Sequence, residues 1–162
     1  MKTTQKIAAL ILFCICSVVM NLQAQDHMMS DHIMVMPKDI KWTDGPAGLP
    51  PGSKIAVLEG DPSAVGLFTI RVKLPSNYKI KPHTHPADEH ITVIQGTFNM
   101  GLGATYDEKA AKTMPVGAFA VMKVGTVHYA FTKGDVIVQI HGMGPWGITY
   151  VNPADDPRLA KK

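Results

Sequence analysis

Across residues 67–74 the apolar side chains Phe68, Ile70, Val72 and Leu74 alternate with Thr69, Arg71 and Lys73. A period of two is the mark of a strand with one face on a core and the other toward water. The alternation returns in residues 97–102, where Phe98, Met100 and Leu102 share a face. Shorter runs rich in β-branched or aromatic residues lie at 54–59, 90–95, 118–123, 127–131, 136–141 and 148–151. Gly, Pro, Asn or Asp punctuate almost every gap, and no long helical period appears; residues 107–112 have room for one helical turn. Short strands at intervals of about ten residues predict an all-β, antiparallel sandwich or barrel. No internal repeat is present, so the expectation is one jelly roll.

The first 24 residues stand apart from this pattern. Lys2 and Lys6 precede an apolar stretch at 7–20, and Leu22-Gln23-Ala24 offers a cleavage site, which together read as a secretory signal peptide. The stretch is shorter than the roughly 20 residues a bilayer core requires. Export to the periplasm or the medium is therefore expected, with no membrane attachment after cleavage. Both cysteines, Cys14 and Cys16, lie inside the leader, so the mature chain has no disulfide and no thiolate. Removing Lys2 and Lys6 leaves 14 basic against 13 acidic side chains, a net charge of +1 in place of +3. With no basic stripe or cluster of stacking aromatics, nucleic acid is not an expected partner. The organisation predicted is a signal peptide at 1–24, a lead-in segment at 25–49, a barrel at 50–151 and a tail at 152–162. The lead-in begins rich in His and Met, with His27, Met28, Met29, His32, Met34 and Met36. Soft thioethers suit Cu(I) in an export compartment, while the plainer reading is a tail leading into an edge strand.

Candidate chemistry concentrates in His83-Thr84-His85-Pro86-Ala87-Asp88-Glu89, closed by Gly96 and followed later by Gly125-Thr126-Val127-His128. Residues two apart in a strand point the same way, so His83 and His85 can grip one ion. Pro82 and Pro86 exclude a helix there. Three imidazoles and a carboxylate are a donor set suited to a first-row divalent metal. A chance HxH is common in a chain with seven histidines; the glycine-bracketed Glu89 and His128 are what weigh against chance. His141, at the end of a strand, is a candidate base behind the metal ligands or a substrate contact, provided its strand turns that face inward. His90, next to Glu89, should face away from the metal. No phosphate loop, nucleophile elbow or CxxC pair is present.

These residues resemble the two motifs of the cupin superfamily. The first, G(X)5HXH(X)3-4E(X)6G, fits from His83 to Gly96, with Asn77 in place of its opening glycine; the second, G(X)5PXG(X)2H(X)3N, matches at Gly117, Gly125 and His128. Asn77 can take the left-handed conformation a glycine would supply. Lys123 replaces the proline, which loses a rigid turn, and Thr132 replaces the asparagine, which leaves the strand end less defined. The resemblance implies a single antiparallel jelly-roll barrel in which His83, His85, Glu89 and His128 hold one divalent transition metal. Iron or manganese fits oxygen chemistry, and nickel, zinc or copper remain alternatives. It implies either a small metalloenzyme, oxygen-dependent among the options, acting on an anionic or enolisable small molecule, or a non-catalytic sensor similar to the cupin domains that accompany anti-sigma factors. A homodimer is expected as well, since a lone jelly roll exposes edges and an apolar face, and residues 34–42 could lend a strand to a neighbour.

Overall fold

Two antiparallel sheets face each other in the computed structural model, which describes residues 32–160. The segment expected to be a signal peptide, and His27, Met28 and Met29 of the His/Met-rich stretch, lie outside the described residues. The strands are β1 (Thr43–Asp44), β2 (Lys54–Glu59), β3 (Gly66–Leu74), β4 (Lys79–Thr84), β5 (Glu89–Gln95), β6 (Phe98–Leu102), β7 (Lys112–Met114), β8 (Phe119–Met122), β9 (His128–Thr132), β10 (Val136–Gly144) and β11 (Thr149–Tyr150). One sheet runs β1-β2-β3-β10-β5-β8 and the other β11-β4-β9-β6-β7. From β3 to β6 and again from β7 to β11, chain neighbours alternate between sheets, and the all-β jelly roll expected from the period-two pattern is the fold observed. Residues from 35 onward form one compact unit; of those before it only His32, Ile33 and Met34 are described, all exposed.

Register explains the core. β10 pairs with β3 so that Ile140 faces Ile70 and Val138 faces Val72, and β10 pairs with β5 so that Val138 meets Val93 and Ile140 meets Ile91. These six side chains are buried, together with Phe68 and Leu74, and the second sheet contributes Ile80, Phe98, Met100 and Ala130. Burying each large apolar side chain stabilises the fold by roughly 1.5–3 kcal/mol. The residues between them, Arg71, Gln139 and Thr92, occupy the outer face.

Two strands were not legible in the pattern. β1 is two residues inside a Pro- and Gly-rich loop, and exists because Thr43 and Asp44 pair with Ile55 and Lys54, whose ammonium reaches Asp44 at 2.6 Å. β7 is short and mostly polar; it forms because Thr113 lies beside Asn99, donating to its Oδ1 at 3.1 Å. Residues 107–110 make a single turn and no helix, closed by Ala110 N–H on Asp107 O at 3.3 Å and by Lys109 N–H on Asp107 Oδ1 at 2.8 Å, and Lys112 already belongs to β7. The span 34–42 is interrupted by a 3-10 turn at Pro37–Asp39, so it is not one continuous strand.

The motif departures resolve differently from expectation in two respects. Asn77 does adopt φ 59°, the left-handed conformation, as Gly96, Gly117 and Gly125 also do. Thr132, however, fixes the end of β9. It is 2% exposed, its hydroxyl donates to the Pro75 carbonyl at 2.6 Å and accepts from the Tyr78 N–H at 3.0 Å. A buried hydroxyl that serves as both donor and acceptor defines the strand end. At Lys123, the rigidity a proline would give comes from Asp88, which accepts from Lys123 Nζ and from Val124 N–H, both at 2.8 Å.

Candidate metal centre

His83 lies near the end of β4, His85 just beyond it, Glu89 opens β5 and His128 opens β9. His83 and His128 are cross-strand partners, so the β4–β9 pairing itself brings two imidazoles together. A register irregularity between Ile80 and His83 adjusts the strand where the pair forms. All four side chains are buried, at 3%, 6%, 3% and 2% exposed for His83, His85, Glu89 and His128.

Backbone carbonyls set the orientation of each ring. Nδ1 of His83 sits 2.7 Å from Lys81 O, that of His85 2.6 Å from Gly147 O, and that of His128 3.0 Å from Thr126 O. A carbonyl only accepts, so each Nδ1 carries the hydrogen and each neutral ring turns a bare Nε2 inward. One ligand nitrogen from each ring lies within 4.8 Å of the others. Glu89 Oε2 is 3.4 Å from His85 Nε2 and 3.3 Å from His128 Nε2. Neither His85 Nε2 nor Glu89 Oε2 has a hydrogen-bond partner. Lone pairs and a carboxylate oxygen gathered in a buried pocket repel one another unless a proton or a metal cation sits among them. The three histidines are therefore arranged as a group that can hold a metal ion.

Without such an ion, the cluster's electrostatics are lopsided. Burial, with His128 and His85 alongside, pushes His83 down to about 3. Burial also disfavours the charged form of His85, but the Glu89 carboxylate outweighs it and moves its pKa up. Burial alone would raise Glu89; His128 and His85 reverse that and hold it down to about 2.

The cluster opens into a cavity of about 260 Å³ inside the barrel. Its wall is mostly apolar, with Ile70, Val72, Phe98 and Met100 among the lining residues. Phe68, on the same face of β3 as Ile70 and Val72, is not among the lining residues and is buried against Trp146, with ring centroids 5.8 Å apart. Sequence reasoning missed Trp146, which stacks on His85 at 4.6 Å and 16°. Its neighbour Gly147 supplies the carbonyl that orients the same imidazole, so one short loop holds both the face and the edge of His85. The Gly144-Pro145-Trp146-Gly147 sequence announced a turn; no sequence signal placed it over a ligand. Tyr150 O–H, on β11, donates to Gly48 O at 2.8 Å and ties the lead-in loop across the cavity.

His141 is not brought to this cluster. Val138 and Ile140 face the cavity, so by alternation along β10, His141 and Gln139 face outward. There His141 stacks on His90, its partner on β5, at 4.8 Å and 17°, and Gln139 accepts from Arg71 Nε at 3.1 Å. The sequence left open which face of β10 was inside, and pairing with β3 and β5 decided it. His90 faces away from the cluster, as expected from its place beside Glu89.

Compared with known proteins, residues 30–146 match the ChrR cupin-like domain. The chain belongs to this cupin family. No curated protein sequence matches it significantly. Among solved structures, the cupin is similar to the polyketide cyclase RemF from Streptomyces resistomycificus, at 17% identity over 78% of this chain and 90% of that one, with a TM-score of 0.65. It is similar also to the DMSP lyase DddQ from Ruegeria pomeroyi DSS-3, at 13% identity over 77% and 74% of the two chains and a TM-score of 0.56. KdgF from Halomonas sp. matches at 18% identity over 70% and 94%, with a TM-score of 0.52. At these identities the likeness is one of fold.

Proposed function

We propose that this cupin is an exported metalloenzyme acting on a small anionic or enolisable organic molecule, with oxygen-dependent chemistry the favoured class. The observation that carries this reading is the apolar cavity joined directly to the buried His–Glu cluster. A centre that only stores an ion gains nothing from such a space, whereas a catalyst needs room for substrate beside the ion. His83, His85 and His128 would hold the metal, with Glu89 as the fourth donor. Iron or manganese is favoured and nickel, zinc or copper are the alternatives. Three neutral imidazoles and one carboxylate leave a divalent ion with a net +1, which attracts an anionic oxygen and stabilises an enolate or similar charge. The carbonyls of Lys81, Thr126 and Gly147 fix the rings so that the donors do not reorganise during the reaction. The apolar wall excludes water and strengthens every charge interaction inside. Two of the fold's relatives are a cyclase and a lyase, which agrees with small-molecule chemistry in such a barrel.

The second reading is a non-catalytic metal or ligand sensor, and the match to the ChrR cupin-like domain favours it. Metal analysis of protein recovered from its own compartment, followed by oxygen uptake with enolisable and phenolic acids, separates the two. Turnover with iron or manganese bound is expected. Zinc or copper as the native metal, with no substrate consumed, leaves the sensor. Intact mass of the same material reads the leader, expected to be removed after Ala24.

A further inference from the structure

Three side chains outside the His–Glu cluster that can donate line the cavity, Arg158, Trp146 and Ser63, and the Ser63 hydroxyl is spent on Asp61 Oδ1 at 2.7 Å. Arg158 is the only cationic side chain among the lining residues other than the histidines. Its guanidinium is set in place by its own neighbours: Nε donates to Asp156 Oδ1 at 2.8 Å, and Nη2 donates to Asp156 Oδ2 at 2.7 Å and to the Ile148 carbonyl at 3.0 Å. Nη1 takes no part in these bonds. It lies on the side of Gly48, where an added Cβ would come 3.6 Å from it and 2.6 Å from Ile148 Cγ2. The absence of a side chain at Gly48 therefore keeps this part of the cavity wall open beside the guanidinium. The second donor is Trp146, whose indole Nε1–H is buried and has no acceptor among the described residues. A buried N–H in that condition is unfavourable, and an oxygen in the cavity would relieve it.

We propose that Arg158 and Trp146 form a carboxylate subsite beside the metal centre, which makes the ligand of this cavity a small monocarboxylate with an aliphatic or aromatic body. The inference rests on the cavity being a ligand site, as proposed above, and narrows its substrate class. Guanidinium and indole N–H groups are both directed donors, and a carboxylate offers two oxygens to receive them. The body of the molecule then fills the apolar wall, where a second charged group placed away from the metal centre would find no partner. Asp156 offsets part of the arginine's charge, so recognition depends on directed hydrogen bonds more than on net charge. Trp146 is the last residue of the span 30–146 that matches the family, while Arg158 lies beyond it, so the guanidinium half of the subsite comes from this chain's C-terminal segment.

Isothermal titration of hexanoate and of 1-hexanol into the purified protein, with and without Zn(II), tests the subsite. Hexanoate is expected to bind at least about tenfold more tightly than 1-hexanol in the metal-free protein, where no ion contributes to carboxylate affinity. Arg158→Gln should erase that preference by weakening hexanoate while leaving 1-hexanol unchanged. Trp146→Phe keeps a ring over His85, removes only the N–H, and should weaken hexanoate about threefold or more; it also serves if Arg158→Gln fails to fold. Equal binding of the two probes, or a preference that survives both substitutions, overturns the subsite. If Zn(II) binds one per chain while the preference is absent, the subsite falls and the metal centre stands. If the preference is present but Zn(II) does not bind, the metalloenzyme reading falls and the subsite stands.

Discussion

The four cluster residues act as a set because each Nδ1 is committed to a carbonyl, which turns the three Nε2 atoms toward the Glu89 oxygen and leaves His85 Nε2 and Glu89 Oε2 without a hydrogen-bond partner. His128→Ala should therefore lower metal content from one per chain to near zero, read by elemental analysis of the folded protein. His141→Ala, on the far face of β10, should leave it at one; full occupancy in His128→Ala would contradict the ligand assignment. A pH effect follows in the metal-free protein. His83 titrates at about 3 against 6.5 for an unperturbed histidine, and Glu89 at about 2 against 4.5. Both folded values lie below the unfolded ones, so the unfolded chain binds more protons in acid and stability falls as pH drops, from 6.5 toward 3 for His83 and from 4.5 toward 2 for Glu89. His85 opposes this, because its raised pKa gives a contribution complete below 6.5 and lost as pH rises through the folded value. The denaturant midpoint of the metal-free protein is expected to decline on acidification from pH 6.5; a midpoint that rose would show that His85 outweighs the other two.

At the scale of elements, the barrel's precision resides where strands begin and end. β9 opens with a cluster residue, His128, and closes with Thr132, and the two hydrogen bonds of that hydroxyl bind β9 to the turn that leads into β4. Thr132→Val keeps shape but leaves the Tyr78 N–H and one bond to Pro75 O without a partner in a buried place. The expected loss is about 2 kcal/mol or more in chemical denaturation, while Thr132→Ser should recover most of it. Because β4 also carries His83, the Val variant should bind metal more weakly too; a variant of unchanged stability would show that β9 does not need this tie. The turn before β9 tells a similar story. Asp88 gives Lys123 and Val124 the fixed geometry that a proline would have given, and Gly125 N–H reaches His85 O at 3.2 Å.

For the whole molecule, the outer face of the six-stranded sheet combines exposed Phe119, Leu67, Met143 and Ile94 with the stacked pair His90 and His141. The edge strand β8 borders it. An apolar face and an open edge together favour a symmetric pair of chains. Sedimentation at micromolar concentration is expected to give a homodimer, and Phe119→Asp should shift it toward monomer without lowering metal content. A wild-type protein that stays monomeric there refutes this arrangement.

The order of apolar and polar residues by itself determined most of the strands and the inward set from Phe68 to Leu74, because a period of two carries its own geometry. HxH, Glu89 and the glycine before His128 likewise announced the cluster, since ligand type and spacing are local. Three things were decided only by tertiary structure. Which face of β10 lies inside depends on pairing with strands distant in the chain, so His141 was ambiguous until β3 and β5 were beside it. The short strands β1 and β7 have too few residues to carry a pattern and exist only through their partners. Trp146, Gly147 and Arg158 come to His85 and the cavity from far along the chain. Such long-range packing leaves no periodic trace, because no local alternation encodes which loop closes over which ligand.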